Sequence, residues 1–195
     1  MIIALGLEQR FEMDLVSMSH EAGLDRRVRA TLVRGLSRIR SVAAGEAVLR
    51  SLESEDQRVV ANAIESEHTP IEALVEYKGD SHHRVRSSAI RRMLVQGDDG
   101  AVIDVAVDDL LAMLRDERVG HRLAGVWAAQ RILEAKSESK NGTRFPGGAH
   151  WRSLIKVLDS MCREEQDEGV RSRADHCVHR LLVSQRVRER EAAVV

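Results

Sequence analysis

The chain has 195 residues with 30 basic and 31 acidic side chains, so its net charge is close to zero. That balance excludes the strong overall attraction to nucleic acid or anionic membranes that a basic protein would have. Only two prolines and few aromatic residues occur among abundant Ala, Leu, Arg and Glu. This composition favours long helices packed through aliphatic side chains, in one domain or in a short array of repeats.

The cysteine content and the hydropathy point to a cytoplasmic protein. Cys162 and Cys177 are the only cysteines and do not form a Cys-x-x-Cys pair, which argues against a disulfide scaffold. The apolar start at residues 1–7 is too short for a signal peptide, and no segment approaches the roughly 20 apolar residues that span a bilayer. We expect no membrane association and, without a glycine-rich phosphate loop or nucleophile motif, no cofactor.

Apolar residues spaced three or four apart predict helices along the whole chain. The first helix is predicted over residues 3–21 and ends at Gly23. Further helices are predicted after Asp25, at 43–52, after Asp56, after Pro70 through Ile71, Leu74 and Val75, after Asp80, and at 102–114, 117–135, 151–163 and 170–188. The fold class is therefore all-α.

Five of these helices share one pattern, in which an aspartate precedes a valine and small or apolar residues follow. The aligned valines are Val28, Val59, Val85, Val119 and Val170. The residues four positions later are Leu32, Ala63, Ala89, Leu123 and Ala174. Eight positions later stand Leu36, Met93, Trp127 and Val178, with Glu67 as the exception. At 100° per residue these positions form one narrow stripe, which we expect to be buried by stacking of neighbouring helix pairs.

The Asp-x-x-Val-Arg-x-x-x-Ala cadence resembles HEAT repeats in the short form found in bacteria and in phycobilisome-lyase-like repeat proteins. The resemblance implies a right-handed α-solenoid of about five helical hairpins. We expect a single domain over 1–195, with repeats near 3–41, 42–68, 70–97, 100–136 and 150–190. In the family, the arginine after the valine joins a ladder with aspartates. Arg29, Arg86 and Arg171 match it, whereas Val60 and Gly120 would interrupt it.

Positions three, six and ten after each valine point away from the predicted core, and the resemblance places them on the concave side. Arginines outnumber acids there, which predicts a basic inner surface. We expect partner-binding residues at Arg34, Arg38, Glu65, Arg91, Arg122, Arg173, His176 and Arg180, with Ser88, Gly125 and Ala129 also facing outward. An acidic protein segment or a phosphate backbone would fit such a surface. A solvated face whose arginine stems cover apolar neighbours is the third interpretation.

A non-catalytic scaffold is the favoured function, and a nucleic-acid-binding protein is the alternative. The alternative includes a glycosylase-like enzyme, because one HEAT-like subfamily removes alkylated bases with a carboxylate and aromatic residues. Glu65 is the candidate carboxylate, but Trp127 falls on the predicted core stripe. The run 175–179 with Cys162 offers histidines and cysteines for a metal. Because Cys177 points about 100° away from His176, an exposed histidine pair and two buried cysteines are expected instead of a metal site.

The segment 136–150 interrupts the repeat with a polar, turn-rich sequence. Arg144 and Phe145 in it form either a binding epitope or part of a tolerated insertion. The start of the chain lacks a polar cap before its first helix. Terminal repeats of a solenoid need a polar outer face. We therefore also consider that the chain is a piece of a larger protein, or that it self-associates through an exposed end.

Overall fold

A computed structural model describes the backbone of residues 2–19, 21, 23–97, 99–138 and 148–192, and the side chains of 11–19, 21, 23–97, 99–135, 150 and 152–180. Within these ranges the protein contains nine α-helices and no strand, which confirms the all-α class. They are α1 (Ile2–Ser19), α2 (Arg26–Leu36), α3 (Val42–Arg50), α4 (Gln57–Ile64), α5 (His83–Gln96), α6 (Gly100–Leu114), α7 (Val119–Glu138), α8 (Gly148–Glu164) and α9 (Glu168–Ala192). None of the described helices is long and apolar enough to cross a membrane.

Aspartates begin the helices of all five copies of the repeated pattern, as predicted. The carboxylate of Asp25 accepts hydrogen bonds from two backbone N–H groups at the start of α2, and Asp56 accepts one at the start of α4. The remaining acceptors are Asp80, Asp116 and Asp167, before α5, α7 and α9. The carboxylates of Asp25, Asp56 and Asp167 satisfy N–H groups that the first turn of a helix leaves without an intrahelical partner. Those of Asp80 and Asp116 bind the N–H group of the residue immediately before the helix.

The helix predicted after Pro70 is instead a single 3₁₀ segment, Glu72–Glu76. Leu74 is buried, but Val75 is 45% exposed, so only one of the two expected core residues packs inward. Fewer than ten residues separate Pro70 from Asp80. That length is too short to stabilise an α-helix of several turns, and short 3₁₀ turns are the usual outcome.

The chain divides into two compact units, residues 1–89 and 90–195. In the first unit, α2 packs against α1, α3 and α4. Its core consists of small and aliphatic side chains: Ala30, Val33, Leu36, Ala44, Ala47, Val48, Val59 and Ala63. Leu15, Val16, Ile39 and Leu52 cover its edge. Side chains of this size allow neighbouring helices to approach closely.

In the second unit, α7 packs against α6 and α9, and α8 packs against α6 and α9. The buried side chains come from all four helices and include Ala106, Leu110, Met113, Leu114, Val126, Ile132, Leu154, Leu158, Val170, Ala174 and Cys177.

The inward face predicted for the copy at Asp80 is buried, at Val85, Ala89, Met93 and Leu94 of α5. The same is true of Val59, Ala63 and Ile64 on α4.

The predicted stripe is wrong in two copies. Val28 is 42% exposed, because α2 turns Ala30 and Val33 inward and its buried face is centred away from the valine. Val119 is also 42% exposed, and Leu123 and Trp127 are only half-buried. The buried stripe of α7 instead runs through His121, Gly125 and Ala129, two residues later than predicted. Gly125 and Ala129 therefore do not face outward.

Candidate functional site

Arginines close the turn between the two helices of a repeat, and they bind backbone carbonyls there. Arg29 Nη2 donates to the carbonyl oxygen of Glu21 at 2.9 Å, and Arg86 Nε donates to that of Lys78 at 3.1 Å. Arg171 Nη1 donates to the carbonyl oxygen of Glu165 at 3.0 Å. The three arginines expected from the repeat thus share one role, which is to satisfy carbonyls near the end of the preceding helix.

Arg122 performs this role in the fourth copy, where the sequence pattern predicted an interruption. Its Nη1 donates to the carbonyl oxygens of Asp116 and Glu117 at 2.9 and 2.8 Å. Its Nε and Nη2 donate to the carboxylate of Glu165 at 2.7 and 2.8 Å. Hydrogen bonding to Arg122 holds the pKa of Glu165 below its ordinary value, despite the opposing effect of burial. Arg122 is therefore engaged inside the fold and does not present a free cation.

His121 takes the position that valine has in the other copies. Its side chain is 4% exposed, and its Nδ1 lies 3.6 Å from the carboxylate of Asp116. Arg118 donates both a backbone and side-chain hydrogen bonds to Asp116. The side-chain bonds from Arg118 are the main reason that the pKa of Asp116 lies well below its ordinary value. The cap of α7 is thus an ionic cluster.

The structure places the first unit's predicted binding residues at the ends of α2 and α4. Arg34 and Arg38 are exposed, and their guanidinium groups pair with no residue in the described part of the chain. Glu65 is half-buried and has an interaction partner. The two arginines are available for a partner, whereas Glu65 is less accessible than the sequence pattern suggested.

In the second unit, α9 carries three exposed basic residues on one face: Arg173, His176 and Arg180. Arg173 and His176 form no hydrogen bond or ion pair with the described side chains. Arg180 pairs with Glu134 of α7, which also accepts a hydrogen bond from Arg131 at 2.9 Å. We call Arg131, Glu134, Arg173, His176 and Arg180 the α7–α9 basic face.

Glu134 is ionised within this face. Burial alone would raise its pKa, but hydrogen bonds from Gln130 and Arg131 and the charges of Arg131 and Arg180 hold the pKa below its ordinary value. One carboxylate therefore joins two arginines, and the three arginines of the face outnumber its one carboxylate.

Arg131 and Trp127 were missed as surface candidates because the predicted register of α7 was wrong. With His121 in the valine position, Trp127 stands six and Arg131 ten residues later, on the side of α7 opposite its buried stripe. A signal for the correct register exists in the sequence. His121 follows Asp116 by five residues, as Val85 follows Asp80. Trp127 is half-buried, so part of its ring is accessible on this side.

Arg91 and Ser88 on α5 differ in accessibility. Arg91 is half-buried and has an interaction partner. Ser88 is 5% exposed, so the expectation that it faces outward is wrong. The residues immediately before and after Ser88, Ser87 and Ala89, are buried as well. Successive residues lie about 100° apart around a helix, so α5 is enclosed on several faces at this point.

The histidines and cysteines at 162–179 do not converge on one point. His176 and His179 are exposed, whereas Cys177 is 1% exposed and Cys162 is half-buried. Burial, together with the nearby Cys162 and Glu134, raises the pKa of Cys177 to about 12. In the described part of the chain, no group of three His, Cys, Asp or Glu side chains is arranged to hold a metal ion.

The predicted loop epitope, Arg144 and Phe145, lies outside the described residues. Comparison of the chain with models of known protein families, and with curated protein sequences, gives no match.

Proposed function

We propose that the protein is a non-catalytic interaction module that binds an acidic protein segment through the α7–α9 basic face. In this proposal its helical hairpins form a right-handed HEAT-like α-solenoid, and the exposed Arg34 and Arg38 add a second basic surface. The observation that carries the proposal is the row Arg173, His176 and Arg180, which lies exposed along one face of α9.

Charge and exposure support an acidic partner. Arg173 and His176 are not neutralised by any described side chain, and Glu134 offsets only one of the two arginines that it contacts. An arginine binds a carboxylate through two parallel N–H···O bonds, which fixes orientation as well as adding attraction. The accessible part of Trp127 beside these cations provides an aromatic anchor, a residue type that often dominates interface energetics.

A labelled polyglutamate peptide and a labelled DNA duplex of equal charge test the proposal by fluorescence anisotropy over a salt series. We expect the peptide to bind more tightly than the duplex. The double variant R173E/R180E should weaken peptide binding at least tenfold. Arg173→Glu alone should also weaken peptide binding. Its matched control is Arg152→Glu, the same charge change at an exposed arginine on α8 in the same unit, and this variant should retain binding.

Three outcomes contradict the proposal. The first is no binding of the peptide by the unmodified protein at low salt. The second is equal loss of binding in Arg173→Glu and in the Arg152→Glu control, which would indicate only a general charge effect. The third is tighter binding of the duplex with a steeper salt dependence, which would favour the nucleic-acid alternative. Circular dichroism of each variant confirms that the helices are retained.

A further inference from the structure

Arg29 in the first copy and Arg122 in the fourth copy occupy equivalent positions but differ in one partner. We call each arginine, with the backbone carbonyls that it binds, an arginine clamp. Glu165 stands two residues before the capping Asp167, accepts a hydrogen bond from the Asp167 backbone N–H, and also binds Arg122. In the first unit the equivalent position, two residues before the capping Asp56, is Ser54. The hydroxyl of Ser54 accepts a hydrogen bond from the backbone N–H of Asp56 at 3.2 Å, as Glu165 does from Asp167. Arg29 thus stands in the place of Arg122, but a serine replaces its carboxylate partner.

Arg29 correspondingly makes fewer hydrogen bonds than Arg122 does. A guanidinium group has five N–H donors. Arg122 uses four of these donors in hydrogen bonds, whereas among the residues that the structure describes Arg29 donates only to the carbonyl oxygen of Glu21. The Nε of Arg29 is buried and is one of two such side-chain polar atoms without a hydrogen-bond partner in the described part of the chain. A buried donor without a partner is costly, and such groups usually mark an ion, water or ligand position.

A cleft of about 450 Å³ lies at this point and is lined by three arginines, Arg26, Arg29 and Arg50. Ser19, Ser51 and Ser54 add hydroxyl groups to its wall. The volume is in the range of small-molecule sites, roughly 300–1,000 Å³. Arg26 and Arg50 pair with no described carboxylate, so three guanidinium groups line one cleft without an ionic partner.

The other atom of this kind is Oε1 of Gln57, a residue that lines an adjoining cleft of about 310 Å³. Arg26, Glu55 and Asp56 line both clefts, and Arg58 and His82 line the second one. We call the two clefts together the trough. Both residues that carry a buried polar atom without a partner therefore line the trough.

The acidic residues of the trough form no ion pair with its arginines in the part of the chain that the structure describes. The carboxylate of Asp56 accepts the backbone N–H of Arg58 at 2.8 Å and is committed to capping α4. Glu53 and Glu55 are exposed and form no ion pair with the described arginines. Three carboxylates therefore line the cleft beside the three arginines, and they would disfavour the binding of an extended polyanion.

We propose that the trough is a binding site for the phosphate group of a small phosphorylated ligand, held by Arg26, Arg29 and Arg50. The Arg122–Glu165 pair shows that the same clamp binds an oxyanion elsewhere in the chain. The three guanidinium groups can donate charge-assisted hydrogen bonds to the three acceptor oxygens of a phosphate monoester, one more oxygen than a carboxylate offers. The adjoining cleft accommodates the remainder of the ligand beside Gln57.

Inorganic phosphate is the probe, titrated into the full chain at constant ionic strength while the arginine Nε–H resonances are followed by NMR. We expect a saturable shift of the Arg29 resonance at millimolar phosphate, and no such shift with chloride alone. The S54E variant reproduces the residue found at position 165. It should satisfy Arg29 internally, weaken phosphate binding at least tenfold and raise the midpoint of thermal unfolding.

Arg29→Gln should also abolish binding, measured through the Arg26 and Arg50 resonances. Arg27→Gln removes an exposed arginine of the same helix that does not line the trough, and this variant should bind phosphate normally. The proposal is overturned if the unmodified protein shows no saturable shift, if chloride produces the same shift, or if S54E binds phosphate as well as the unmodified protein does. The S54E measurement decides the matter even if Arg29→Gln does not fold. This site is independent of the α7–α9 basic face, so failure of either proposal leaves the other standing.

Discussion

The ion pair between Arg122 and Glu165 joins two segments that are 43 residues apart in sequence, and its removal should weaken the second unit. The side chains are 17% and 7% exposed, so both charges are largely withdrawn from water. Glu165→Gln preserves the shape of the side chain but removes the charge, and it turns an amide N–H toward an arginine donor. Arg122→Met leaves the carboxylate without its cation.

The size of the effect follows from the bonds that are lost. Hydrogen bonds to charged groups contribute about 1.5–3 kcal/mol each, and breaking a buried pair by removing one partner costs about 3–5 kcal/mol. Glutamine keeps part of the hydrogen bonding, so we expect Glu165→Gln to lower the free energy of unfolding by about 2 kcal/mol. Arg122→Met should cost about 3–4 kcal/mol, because two backbone carbonyls also lose their donor.

The effect should depend on pH. The pKa of Glu165 is lower in the folded protein than its ordinary value. The ionised carboxylate therefore stabilises the fold fully above its unfolded-state pKa, about 4.3, and this contribution is lost as the pH falls through the folded-state pKa. The difference in unfolding free energy between the unmodified protein and Glu165→Gln should thus be largest near neutral pH and shrink at strongly acidic pH.

Urea unfolding followed by tryptophan fluorescence measures this difference, because Trp127 and Trp151 are the only tryptophans and both lie in the second unit. Arg163→Met is a suitable control, since among the described residues Arg163 pairs only with Asp159 at the surface, and surface pairs contribute about 0–1 kcal/mol. A Glu165→Gln variant within about 0.5 kcal/mol of the unmodified protein at neutral pH would refute the reasoning, as would a difference that does not change with pH.

Three other outcomes are expected. Leu158→Ala should lower the unfolding free energy by about 2–5 kcal/mol in the same fluorescence assay, since Leu158 is 0% exposed; a loss below about 1 kcal/mol would mean that the site is poorly packed. Asp56→Ala should lower the free energy of unfolding by about 1 kcal/mol through loss of the α4 cap, measured by urea unfolding with far-ultraviolet circular dichroism. Asp56→Asn should lower it much less, and equal losses in the two variants would indicate that the charge matters more than the hydrogen bond. Cys177 should remain unlabelled by a thiol-specific disulfide reagent in the native protein at neutral pH, because burial and a pKa of about 12 suppress its thiolate. Cys162 is half-buried and should react first, and mass mapping that finds Cys177 labelled first would contradict the burial of Cys177.

The helix starts and several core faces could be predicted because they depend on local interactions. An aspartate a few residues before an apolar stripe meets its N–H partners within the same turn, and this held at each copy from Asp25 to Asp167. The stripe itself was predicted correctly on α4 and on the inward face of α5, where valine, alanine and methionine leave one consistent register.

The register of α7 could not be read from apolar spacing because its true stripe contains a histidine and a glycine. Val119, Leu123 and Trp127 look more like core residues than His121 and Gly125 do. The cost of burying His121 is offset by its place beside Asp116 and Arg118, which is visible only when the cap and the helix are assembled. The wrong register of α7 also affected the predicted binding residues. Because of it, Trp127 and Arg131 were not predicted at the surface, and Arg122 was predicted to be free to bind a partner.

The sequence by itself determined the all-helical class, the positions of the capping aspartates and the arginine that follows the valine in three of the five copies, at Arg29, Arg86 and Arg171. These features depend on backbone geometry and on interactions within a few residues. Only the tertiary structure decided which arginines bind a carboxylate inside the fold and which remain available to bind a ligand. Arg122 and Arg29 have equivalent places, but the residue opposite them, Glu165 or Ser54, is supplied by the next helix pair, and so their electrostatic surroundings differ. That difference between two equivalent positions distinguishes a stabilising ion pair from a candidate binding site.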